Sequence, residues 1–170
     1  MKRTSILFTA THLSNQCYSM CFRQEANHCA ICFVPAVLGS PTIQGSFGLS
    51  NPNAETTIAV AQGKCSTDYL RLPSSQGKGG SKDQVFEVGK FDASLKLYSK
   101  MCGRFWAANS VEKKDGALVC SQMRPFRLDF KTDANEVVQM EKTQTTKDNE
   151  LVGLPGGTVG FNLKWSQVPC

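Results

Sequence analysis

Cys65-Ser66-Thr67-Asp68-Tyr69-Leu70-Arg71-Leu72-Pro73, answered by Met101-Cys102-Gly103-Arg104, is the stretch on which the fold turns. Tyr69, Leu70 and Leu72 make a short strand with one polar face, and Asp68 sits at its mouth. Between the two cysteines, Ser74 to Ser81 form a loop of Ser, Gly, Gln and Lys.

Working outward, apolar residues recur in short alternating runs. Strands are expected at Ser5–Thr9, Tyr18–Arg23, Cys29–Val34, Gly45–Leu49, Thr56–Ala61 and Asp68–Leu72, then at Gln84–Val88, Ser94–Tyr98, Leu118–Ser121, Phe126–Thr132, Glu136–Glu141 and Thr158–Trp165. The clearest is Phe126, Leu128 and Phe130 alternating with Arg127, Asp129 and Lys131, with Pro125 at its start. Phe161, Leu163 and Trp165 alternate with Asn162, Lys164 and Ser166 in the same way. All six apolar members are expected to point inward. Turns fall at Asn51-Pro52-Asn53 and Pro155-Gly156-Gly157, and no long amphipathic helix emerges. Many short strands between frequent turns predict an all-β, two-sheet antiparallel sandwich.

These motifs, in this order, resemble the CUB domain family, and in particular the CUB-like domains of secreted invertebrate proteins. The Cys-x-x-Asp-Tyr-Leu strand at Cys65 and the later Cys102-Gly103 are similar to the family's central signature. Gln16 to Arg23 resembles its early cysteine strand, Phe130 to Asn135 its strand-then-Asp loop, and Gly160 to Trp165 its closing Gly-Phe strand. The resemblance implies a disulfide-stabilised jelly roll, one domain over residues 1–170, and a Cys65–Cys102 bridge. That bridge would close a loop of about 38 residues, worth about 4 kcal/mol by chain entropy.

The 170 residues suffice for one domain that buries about two-thirds of its unfolded surface. No run of about 18 apolar residues occurs, so no membrane helix is expected. Eight cysteines spread along the chain suit disulfides in an oxidising, extracellular setting, and all eight are expected to pair. Ile6 to Ala10 is too short for the apolar core of a signal peptide, so Met1 is expected to mark the edge of a fragment of a longer secreted protein. Tyr18–Arg23 and Cys29–Val34 read as a hairpin, in which Cys21–Cys29 and Cys17–Cys32 share a register to within one residue. The family commonly has equivalents of Cys21 and Cys29. Cys120 and Cys170 would then pair and tie the last strand to the sheet. Pairing among the first four stays open, as does a zinc site from Cys17, Cys21, Cys29 and Cys32 beside His28, although only Cys29 and Cys32 have the tight spacing zinc favours.

The net charge of +5 is modest and its Lys and Arg residues are scattered. No aromatic-basic stripe supports nucleic acid. With His12 and His28 as its two histidines and no nucleophile, metal-protease or phosphate-loop motif, the chain is not expected to be an enzyme. By resemblance, Asp68 and Asp133 match two calcium-binding aspartates of some family members, and Asn135 would add an oxygen. The glutamate expected before Cys65 is missing: Val60 and Ala61 stand there and Glu55 lies earlier. Tight calcium binding is therefore not expected, and no cofactor is assigned. Arg104 and Trp106 form a candidate binding hot spot. Two functions follow: an extracellular module for adhesion to, or recognition of, a protein or glycan, and, alternatively, a structural component of a secreted matrix or coat that self-associates. Neither involves a membrane.

Overall fold

A computed structural model describes residues 14–39, 45–49, 59–61, 65, 68–73, 85–87, 99–103, 105–108, 116–134 and 160–170. Their elements are all strands: β1 Cys17–Cys21, β2 His28–Pro35, β3 Phe47–Gly48, β4 Ala59–Ala61, β5 Tyr69–Arg71, β6 Val85–Glu87, β7 Lys100–Gly103, β8 Val119–Ser121, β9 Arg127–Lys131, β10 Gly160–Phe161 and β11 Leu163–Pro169. The strands expected at Ser5–Thr9, Ser94–Tyr98 and Glu136–Glu141 lie outside the described residues.

One sheet has the order β1-β9-β5-β7-β4, the other β11-β2-β8-β6, and β10 pairs with β3 as a short ribbon. Every pairing is antiparallel. Period-two alternation does the work expected of it. On β9, Leu128 and Phe130 are buried while Arg127, Asp129 and Lys131 reach outward. Ile31, Phe33, Val85 and Val119 from one sheet join Leu70, Met101, Leu128 and Phe130 from the other in a single core. This is a two-layer sandwich whose core lies between the inner faces. Gly103 takes a φ of 81°, which a side chain would disfavour. There it exchanges two backbone hydrogen bonds of 2.9 Å with Leu49.

The early hairpin does not form. β1 pairs with β9 in one sheet, and β2 pairs with β11 and β8 in the other. The segment between them is a crossover. Phe22 sits in it edge-to-face against Phe33 and Trp165, and Asn27 turns the chain at φ 60°. Register then dictates the disulfides. Cys32 lies directly opposite Cys120 across β2 and β8 and is bonded to it. The end of β11 runs beside the start of β2, so Cys170 is bonded to Cys29. Cys65 is bonded to Cys102. The expected pairs Cys21–Cys29, Cys17–Cys32 and Cys120–Cys170 are thereby overturned, and so is a four-thiolate zinc site. Cys17 and Cys21 are exposed free thiols.

Trp165 also departs from expectation. Phe161 and Leu163 pack against the core, but Trp165 is 52% exposed. It stands opposite Phe33, on the inward side, but β11 is an edge strand of its sheet, and the ring packs edge-to-face on Phe22 while staying half exposed.

Candidate functional site

The outer face of the five-stranded sheet collects side chains that the sequence scatters. The registers Cys17↔Lys131↔Tyr69 and Ser19↔Asp129↔Arg71↔Lys100 set them in rows, because directly opposed residues share a face. Arg127 stands opposite Cys21 in the same way. Between them lies a shallow depression of about 350 Å³, lined by Ser19, Tyr69, Arg71, Arg127, Asp129 and Lys131 among others.

Asp129 is the hub of this face. Its Oδ2 accepts hydrogen bonds from Arg71 Nε at 2.9 Å and Arg71 Nη2 at 2.6 Å, and its Oδ1 accepts one from the Ser19 hydroxyl at 2.6 Å. Burial opposes ionisation of its carboxyl. The Ser19 and Arg71 hydrogen bonds, with the charges of Arg71 and Arg127, outweigh that and hold it below the usual carboxylate range. Arg127 Nε lies 3.3 Å from Asp129 Oδ1 but makes no hydrogen bond; it is a buried donor without a partner. Lys100 Nζ lies 4.4 Å from the centre of the Tyr69 ring and Lys131 Nζ 5.9 Å. Each is within range of a cation–π attraction. Among the described residues, four cations thus surround one carboxylate and one aromatic ring.

The residues singled out in the sequence fare differently. Asp68 is buried, and its Oδ1 accepts the backbone N–H of Asp133 at 2.8 Å, so the strand mouth and the later loop do come together. This is the turn-holding role a short carboxylate commonly plays. Asn135 lies outside the described residues. Asp68 and Asp133 supply two carboxylates, one of them already engaged by a backbone N–H. Calcium takes six to eight oxygens, and two carboxylates are what Asp68 and Asp133 contribute among the described residues. No cluster of three or more His, Cys, Asp or Glu side chains suited to a metal occurs among the described residues.

Arg104 also lies outside the described residues, but Trp106 is fully buried. Its Nε1 donates to the Phe33 carbonyl at 3.1 Å, and its ring packs edge-to-face on Phe47 at 5.4 Å. It is a core residue, which removes it from the binding site. The face around Asp129 went unnoticed because sequence reasoning treated Arg71, Lys100 and Lys131 as isolated charges. The available signal was the outward phase of Arg127, Asp129 and Lys131 in the best-patterned strand.

The described residues thus form a disulfide-braced, antiparallel β-sandwich with a polar, charged outer face on one sheet. More specifically, the chain belongs to the animal CUB domain family, whose model matches residues 3–168. No curated protein and no solved structure matches it. CUB domains are in general extracellular recognition modules and typically non-catalytic. No helix among the described residues is long and apolar enough to cross a membrane.

Proposed function

We propose that the chain is an extracellular recognition module that binds anionic groups of a protein or glycan on the outer face of β1, β9, β5 and β7, without catalysis. The observation that carries this reading is the excess of Arg71, Arg127, Lys100 and Lys131 over Asp129 on one face. A guanidinium pair offers forked donors to sulfate or carboxylate, and Tyr69 offers a flat apolar surface for a sugar ring or side chain. Asp129 pre-orients Arg71, which lowers the ordering cost of binding. Calcium has no part in this reading.

The test is titration with a sulfated oligosaccharide, its desulfated counterpart and an acidic peptide at two salt concentrations. Binding should need the anionic group and weaken as salt rises. The double variant Lys100→Ala/Lys131→Ala leaves the Arg71–Asp129 pair intact and should cost at least tenfold in affinity. Equal binding of the desulfated sugar, or an unaltered double variant, would reject this face. The second reading, a structural component that packs with itself, draws support from the edge of β1, which no other strand among the described residues covers on the side away from β9.

A further inference from the structure

Six of the eight cysteines are paired, while Cys17 and Cys21 are exposed on β1. They cannot bond to each other: four residues of strand separate their Cα atoms by about 13 Å, and a disulfide spans at most about 7 Å. Both point to the outer face, since each lies two residues from Ser19 and so shares its side of the strand. β1 ends its sheet, with only β9 beside it among the described residues. The Thr132 N–H donates to the Gln16 carbonyl and the Phe22 N–H to the Phe126 carbonyl, so both residues bond on the β9 side. In an antiparallel pair such residues alternate, so the N–H and C=O groups of Cys17, Ser19 and Cys21 face the free edge. Natural edges are usually blunted by charge or proline. β11, an edge of the other sheet, carries Lys164 and Pro169, whereas Cys-Tyr-Ser-Met-Cys carries neither.

The sequence of β1 is symmetric about Ser19 in the one respect that matters. If a second copy pairs antiparallel along this edge, centred on Ser19, Cys17 falls opposite Cys21 of the other copy, and Cys21 opposite its Cys17. Cα atoms of such hydrogen-bonded pairs lie about 5.5 Å apart, within the common disulfide range. We infer that two copies of this chain join edge to edge through β1, closed by two reciprocal Cys17–Cys21 disulfides. The operation is a two-fold axis, so the contact is closed and does not propagate.

The chemistry is an oxidation and needs an acceptor, here a small-molecule disulfide such as oxidised glutathione. One cysteine thiolate attacks it, forming a mixed disulfide and releasing one thiol. The opposing thiolate then attacks the protein sulfur, forming the bridge and releasing the second. Two bridges consume two small disulfides and release four thiols per dimer. The joined sheets place two copies of the cationic face side by side, so a ligand with repeated anionic groups would engage both.

The test incubates the oxidised chain, with its three internal bridges, in a glutathione redox buffer and reads mass on non-reducing gels. Wild type should run at twice its 18.6 kDa. Cys17→Ser alone and Cys21→Ser alone should each stay monomeric. An equimolar mixture of the two should form a covalent heterodimer, because Cys21 of one variant then faces Cys17 of the other. Dimer in the mixture also shows that both variants are folded. A monomeric wild type, or a single variant that dimerises as well as wild type, overturns the inference.

Discussion

Trp106 separates a core role from a binding role most sharply. Replacing it with alanine removes a fully buried indole that packs on Phe47 and donates to the Phe33 carbonyl. An aromatic side chain buries roughly 150–250 Å², worth roughly 4–6 kcal/mol at about 25 cal/mol per Å². That is an upper bound, because the unfolded chain already hides part of the surface. Measured aromatic-to-alanine losses of about 3–5 kcal/mol agree, so about 4 kcal/mol is expected here. Trp106→Phe keeps most of the ring but loses the N–H and some volume, for about 1–2 kcal/mol. Urea unfolding followed by circular dichroism reads both. With a slope near 2 kcal/mol per molar, the alanine variant should unfold about 2 M earlier, with phenylalanine between it and wild type. A midpoint shift under about 0.5 M in the alanine variant, accompanied by loss of ligand binding, would refute the core assignment and restore Trp106 as a surface anchor.

Removing the Cys32–Cys120 bridge by a double serine substitution should cost about 4–5 kcal/mol, since it spans a sequence separation of 88, and differential scanning calorimetry would register the fall in Tm. Asp68→Ala should cost about 1 kcal/mol by leaving the partly buried Asp133 N–H without its acceptor; an unaltered urea midpoint would contradict that contact. Because Asp129 titrates below its unfolded value when folded, its stabilisation is present above the unfolded pKa and is lost as pH falls through the folded one. The effect, at most about 1 kcal/mol for so accessible a pair, should vanish from the acid limb of a pH–stability curve in Asp129→Asn. Millimolar calcium should leave Tm unchanged; a rise of several degrees that Asp68→Ala abolishes would show that further oxygens complete a site.

Much of the sandwich was legible because strand burial has a period of two, and Phe126 to Lys131 displays that period without interruption. What misled was long-range pairing. Tyr18–Arg23 and Cys29–Val34 are adjacent in sequence and each reads as a strand, so a hairpin is the cheapest closure by loop entropy. It fails because Phe22 buries its ring between the sheets against Phe33, carrying the chain from one layer to the other. Once that crossover is missed, cysteine pairing fails too, since only the true registers of β2 with β8 and β11 decide it. The cationic face was hidden for the same reason. Arg71, Lys100 and Asp129 are far apart in the chain, and only the β9-β5-β7 registers place them in one row.

The two sheets divide the labour. β2, buried along most of its length, carries both Cys29 and Cys32, so two of the three bridges lock β11 and β8 to one central strand. The opposite sheet has Cys102 on β7 as its bridged strand cysteine, well away from β1. Its far side, β1, β9 and β5, is joined by ladder pairing and core side chains, and carries the Arg71–Asp129 pair, the Ser19 hydroxyl and the lysines over Tyr69 on its outer face. Charged groups on an outer face contribute little to stability when partly exposed. Their concentration on one outer face is the observation behind the proposed anion-binding role. The edge of β1, unpaired among the described residues and with a thiol at each end, borders that same face. A ligand with several anionic groups and a second copy of the chain would both be served by one continuous surface.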